Sequence, residues 1–226
     1  MKSLAVPLLA GLAMASQATP AVAVKSDSQL WTTGSATVKL ADRWRLSEEV
    51  TVRFSNKRGG LYELESNTLL GYRLSKTVSL WAGYTHDPQY AGGDFKIMEQ
   101  RAREQVTFDS FARLGPGKVS GRLRFEQRWR SGIEATGWRL RPYLKYAVPL
   151  GGKVALNLSS EPFIDLNTTA FQQKPGLDRV RNLVTLSTPL SKRLSIEGGY
   201  MNQHGFVRVG PDTSDNIAYF ALSMNL

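Results

Sequence analysis

The chain has 226 residues, a formal charge of +10, two histidines and no cysteine. Without cysteine, a disulfide framework and a thiolate metal site are excluded. The basic residues alternate with acids and form neither a patch nor a basic helix, which argues against nucleic acid as a partner.

At the N-terminus, Lys2 precedes the short apolar run Leu4 to Met14 and a small-residue region ending Ala21-Val22-Ala23. That order reads as a cleavable secretory signal over residues 1–23, cut between Ala23 and Val24. The run is too short for a membrane helix, which needs about 20 residues. An N-terminal anchor or a disordered tail is the alternative. Charges interrupt every later apolar stretch, so the remainder, residues 24–226, is expected to be one domain that is either soluble after export or a β-barrel. Losing Lys2 leaves it with 28 basic and 19 acidic residues, or +9. Behind an export signal, such a charge points to anionic lipid, lipopolysaccharide phosphate or a small anionic solute.

Period-two alternation predicts strands at 30–40, 46–56, 61–74, 78–87, 97–114, 118–131, 136–149, 153–166, 178–189, 193–204 and 214–226. Several exceed the five or six residues usual in globular proteins and suit a tilted membrane-crossing strand of about 9–11. The connections alternate in length. Short ones fall near Asp42, Ser75, Pro116, Gly151 and Ser191, with longer ones at Asp87 to Lys96, Arg130 to Thr136, Asn167 to Leu177 and His204 to Ser214. Short turns on one side and long loops on the other are the outer-membrane pattern. The expected fold is therefore an all-β, antiparallel, up-and-down transmembrane barrel of about 10–12 strands. Bacterial single-chain barrels have even strand numbers, so either Leu30 to Leu40 does not span or one segment hides two strands.

The stretch from Ser120 to Arg130 (SGRLRFEQRWR) shows the alternation most strictly. Arg122, Arg124, Glu126, Arg128 and Arg130 form one face, while Leu123, Phe125 and Trp129 lie on the other. The preceding strand adds Glu99, Arg101, Arg103, Gln105 and Asp109. The two stripes share a face if the connecting loop has an even length. A two-residue loop sets Asp109 opposite Arg124; a four-residue loop sets it opposite Arg122; a bulge would change either. Arg53, Arg139, Arg141, Arg179 and Arg181, with Glu63, Glu65, Glu161, Asp165 and Glu197, extend the charged face. In water such pairs contribute about 0–1 kcal/mol each, and nothing would select so regular a stripe. A narrow lumen would, because desolvated guanidiniums need partners. Trp44, Tyr72 and Tyr146 near the short turns, and Tyr62, Tyr84, Trp129, Trp138 and Tyr200 near the opposite ends, are expected as two interfacial girdles.

Glu99-x-Arg101, Arg122-x-Arg124-x-Glu126-x-Arg128, Arg139-x-Arg141 and Glu161-x-Phe163, in this order, resemble the bacterial family catalogued as domain of unknown function 2490. The resemblance covers essentially the whole chain after residue 23 and implies an exported, outer-membrane β-barrel without assigned activity or catalytic residues. The last segment resembles a barrel assembly signal read by the assembly machinery, although it ends in Leu226 where an aromatic is usual.

Catalysis would need a nucleophile, a base and an orienting group within reach. Only His86 and His204 offer a histidine base, Ser79 and Ser195 lie several residues away, and there is no G-x-S-x-G elbow. No metal site and no cofactor is expected. The expected function is a non-enzymatic outer-membrane barrel, structural or a narrow pore that prefers anions because arginines outnumber acids inside, with outer-membrane lipids and lipopolysaccharide as its surroundings. The alternatives are an outer-membrane lipid hydrolase or acyltransferase using His86 or His204, and a periplasmic soluble β-sandwich.

Overall fold

Alternating stretches separated by Gly, Pro, Ser and Asp fold into strands throughout the described residues, 24–226, of the computed structural model. The predicted signal segment and the Ala23 side of its cleavage site lie outside those residues. The strands are β1 (Lys25–Lys39), β2 (Trp44–Ser55), β3 (Gly60–Arg73), β4 (Val78–Ala91), β5 (Asp94–Leu114), β6 (Gly117–Arg130), β7 (Ile133–Gly151), β8 (Val154–Asp165), β9 (Gly176–Pro189), β10 (Leu194–Gly205) and β11 (Thr213–Asn225).

Each strand pairs with its neighbours in sequence, and β1 closes the barrel against β11. That seam is parallel, from Lys25 opposite Thr213 to Thr37 opposite Asn225. Both expectations about an even strand number therefore fail: β1 runs the full height and no segment hides two strands. With an odd number of up-and-down strands, the first and last necessarily point the same way. Closure then requires a parallel pair, and it leaves no unpaired sheet edge.

One rim carries the connections 40–43, 74–77, 115–116, 152–153 and 190–193, and the other carries 56–59, 92–93, 131–132, 166–175 and 206–212. Two predicted long loops are tight turns. Gly92 and Gly93 have φ of 61° and 86°, so a two-residue turn with both residues left-handed closes β4 onto β5. Gly132 does comparable work between β6 and β7, with φ 76°. The strands extend where the sequence reading placed loops.

Alternation separates two faces of opposite character. Leu70, Leu80, Leu123, Leu144, Leu158, Val184, Leu186 and Phe220 are exposed on the outside of the wall. Arg103, Glu99, Glu126, Asp87 and Asp165 are almost wholly buried inside it. A small apolar cluster of Trp31, Met201 and Ile217, flanked by Leu183 and Tyr219, fills one side of the interior. This is the reverse of a water-soluble protein, where burying apolar surface drives folding and charge stays outside.

Candidate functional site

The charged interior is assembled from strand register. β5 and β6 place Arg101 opposite Arg128, Arg103 opposite Glu126, and Glu99 opposite Arg130. β6 and β7 place Arg124 opposite Arg141. Like charges directly opposite repel, so two arginine pairs need a carboxylate between them. Glu99 serves the first pair, accepting from Arg101 Nε at 2.6 Å and Arg128 Nε at 2.9 Å, and it also accepts from Arg130 Nε at 2.5 Å. Glu126 serves the second, with Arg141 at 2.7 Å, Arg103 at 3.3 Å and Arg124 at 3.8 Å.

Around these two acids the network widens. Glu65 holds Arg53, Arg101 and Arg103 at 3.0, 3.1 and 2.9 Å. Glu161 holds Arg141 at 3.0 Å and also pairs with Arg122. Asp165 receives Arg139 at 2.7 Å, and Asp178 receives Arg179 at 2.6 Å. Asp87 pairs with Arg101, and Glu63 with Arg53. Glu65, Glu99, Glu126, Glu161 and Asp178 each serve more than one guanidinium, while Glu63, Asp87 and Asp165 serve one each, so the forks of the buried arginines are only partly satisfied.

Asp109, expected in this network, is exposed and outside it. The 115–116 turn starts the hairpin with Leu114 opposite Gly117, a register that would bring Asp109 toward Arg122. A bulge between Phe108 and Ala112 intervenes, with Ser110 at φ 48°, and beyond it Thr107 faces Arg122 and Gln105 faces Arg124. The bulge absorbs two residues, so the stripes keep a common face while every partner shifts. Tyr62 is the second correction. A register shift beside Arg53 and Phe54 leaves it out of the ladder, and its ring turns inward. There it is buried, donates to Gln29 Oε1 at 2.8 Å and lies beneath the Arg58 guanidinium.

The other aromatics expected in girdles stand on the outer face. Trp44 and Tyr72 meet edge-on at 4.9 Å near one rim. Tyr146, near the same rim, covers Gly117 and donates to the Leu114 carbonyl at 2.6 Å. Toward the other rim, Tyr84 and Tyr200 are exposed, Trp129 donates to Thr136 at 3.0 Å, and Trp138 stacks on Phe125.

Several interior residues escaped the sequence reading. Asp87 continues the inward positions Ser79, Trp81, Gly83 and Thr85 in a strand that runs on to Ala91, where the sequence predicts a loop from Asp87 to Lys96. Phe163 lies between Glu161 and Asp165 in the same parity, and Arg139, Arg141, Arg179 and Arg181 surround its ring. Gln172 carries no strand signal at all. The 166–175 loop folds over one end of the network, where Gln172 is 1% exposed and accepts from Arg128 at 3.3 Å. Phe171 of the same loop lies under Arg128 and Arg130. Gly137 makes room for this cap: a Cβ there would stand 1.9 Å from Gln172 Oε1.

The interior is not completely filled. A cavity of about 90 Å³ lies among Arg53, Glu63, Arg101, Arg179 and Arg181, and a chamber of about 270 Å³ extends beyond it past Arg122, Arg124 and Tyr143. A mouth of about 450 Å³ opens at the rim of the long loops between Lys57, Arg58, Gln173 and Phe206.

The histidines stand apart from this network. His86 is exposed on the outer wall. His204 Nε2 lies 3.2 Å from Asp212 Oδ2 at the rim, with its ring against Phe206. Asp212 also accepts from Val207 N–H, which holds its carboxyl below the usual range. The cross-strand partner of His204 is Ser214, which the sequence places at the end of a loop and not among the candidate nucleophiles. Among the described residues, the nearest approach to a metal-binding set is Glu63, Glu65 and Asp87, each with a carboxylate oxygen within 4.8 Å of the others. Arg53 and Arg101 already occupy that cluster, so a cation would have to displace them.

A family model described as a protein of unknown function, DUF2490, matches residues 28–214. The chain belongs to this family. The DUF2490 match runs from β1 into β11 and encloses every arginine and acid of the network described above. An uncharacterized protein of Methylorubrum extorquens is similar, 30% identical over 204 residues that cover 88% of this chain and 86% of that protein.

Proposed function

We propose that this DUF2490 chain is a non-catalytic outer-membrane β-barrel, exported by its N-terminal segment and forming a narrow, anion-preferring conduit closed at rest. One observation carries the reading: apolar side chains cover the outer wall while paired arginines and carboxylates fill the inside. A largely apolar exterior, broken by His86, Glu104 and the Glu48–Ser66–Thr68 group, is stable in lipid and costly in water. Outer-membrane lipids, lipopolysaccharide among them, are then the surroundings of the wall, and β11 is the strand offered to the assembly machinery. The odd strand number departs from bacterial practice but has precedent in a mitochondrial channel.

Closure is attributed to the 166–175 cap over Arg128 and Arg130 and to the ion pairs beneath it. Anion preference is narrower in origin than the stripe of arginines suggested, because Asp87 and Asp178 join the interior. The test is recording in planar bilayers with protein from outer membranes whose gel mobility changes on boiling. Wild type is expected to conduct rarely, and shortening the loop across 168–174 to raise conductance with chloride favoured over potassium. Silence of both proteins, or selectivity for potassium, would reject the conduit.

A competing reading, hydrolysis of a lipid ester at the rim, rests on the His204–Asp212 pair at 3.2 Å with Ser214 opposite His204 in the ladder, although the Ser214 hydroxyl accepts from Asn202. If it holds, vesicles bearing the protein release fatty acid and His204→Ala abolishes the release. Equal release from both proteins removes His204 from any such chemistry.

A further inference from the structure

Among the described residues, one arginine of the interior has no carboxylate within ion-pair distance. By register Arg181 faces Glu161, yet the Glu161 carboxylate turns to Arg122 and Arg141 instead. Arg181 is left donating to Gln203 at 2.8 Å, with its guanidinium over the faces of Trp31 and Phe163 at 4.6 and 4.5 Å. Those rings are each 2% exposed and fix the guanidinium plane without neutralising it. Arg124 is nearly as poorly matched: its close partner is the neutral Gln105 at 2.8 Å, and Glu126 stands 3.8 Å away while already serving Arg103 and Arg141. Arg124 and Arg181 both line the chamber of about 270 Å³. Arg53, Arg122 and Arg141 line the same chamber, as do Glu49, Glu65 and Glu161, so five guanidiniums stand against three carboxylates there.

We propose that this chamber binds a small free oxyanion of the phosphate class, with Arg181 and Arg124 supplying the charge. The chemistry fits the residues: planar guanidinium forks match tetrahedral or carboxylate oxygens in pairs, and local excess positive charge in a partly desolvated space attracts anions. The volume admits phosphate or a short dicarboxylate. A lipid headgroup is disfavoured because the closed wall leaves access only from the ends. The inference deepens the conduit reading by naming what enters, and it rests on the interior being reached by water.

The experiment is calorimetric titration of the folded barrel, in a detergent without phosphate, with sodium phosphate against sodium chloride at equal ionic strength. The expected result is saturable phosphate binding that chloride does not reproduce, weakened at least tenfold by Arg181→Gln and by Arg124→Gln. Arg193→Gln, at the exposed rim turn, should bind as wild type does. The shift on boiling certifies each variant as folded, and the conservative Arg181→Lys should retain part of the affinity if charge is what matters. Absence of phosphate binding in the folded wild type overturns the proposal, as does equal binding by all three glutamine variants. Binding of dihexanoyl phosphatidate but not inorganic phosphate also overturns it, in favour of a headgroup site. Bilayer recording separates the two ideas: binding without conductance sinks the conduit and spares the site, and conductance without binding does the reverse.

Discussion

Replacing Glu99 with alanine is expected to destabilise the folded barrel by about 3–5 kcal/mol, the usual cost of stripping one partner from a buried ion pair. Glu99 is fully buried and neutralises Arg101, Arg128 and Arg130 together. Removing it leaves Arg101 and Arg128 directly opposite each other with no carboxylate between them. Arg101 keeps Glu65 and Asp87, so the penalty falls mainly on Arg128 and Arg130. That division predicts partial rescue. Adding Arg128→Met to Glu99→Ala should recover a substantial part of the loss, because an unpaired buried cation costs more than an apolar side chain of similar size. The measurement is the denaturant or temperature midpoint at which the gel shift disappears, for both single variants and the double. A loss below about 1 kcal/mol for Glu99→Ala would show that the interior is wet enough to solvate the arginines, and the network would lose its structural role.

A second large effect separates membrane from water. Leu123 is 43% exposed in the middle of β6, between Val106 and Pro142 on the neighbouring strands. If that face meets hydrocarbon, Leu123→Arg should cost about 2–4 kcal/mol, the value for a cation near the bilayer midplane. If it meets water, an exposed leucine-to-arginine change should stay within about 0.5 kcal/mol. Folding yield and stability in lipid vesicles distinguish the two, with Leu123→Ala as the size control. A neutral outcome in vesicles would reject the proposed orientation and return the soluble sandwich to consideration as a biological setting, though not as an architecture, since the sheet is a closed barrel.

Much of this architecture was legible in the residues. The eleven alternating stretches became eleven strands, and the parity of Arg122 to Arg130 put charge and apolar side chains on opposite faces. Period-two alternation survives any pairing register, so it can be read without knowing the neighbours. Individual partners do not survive in this way. Asp109 and Tyr62 both sit beside bulges, where extra residues turn a side chain or displace it along the ladder. A bulge depends on how two strands accommodate each other and leaves little trace in either one.

Sequence by itself determined the all-β class, the division into a charged and an apolar face, and the residues from which the network is built. Tertiary structure alone decided the parallel seam that closes an odd number of strands, the capping of Arg128 by Gln172, and the isolation of Arg181 from Glu161. The physical reason is range. Alternation acts over a few residues, whereas ring closure and competition for a carboxylate are settled among side chains brought together from strands distant in the chain.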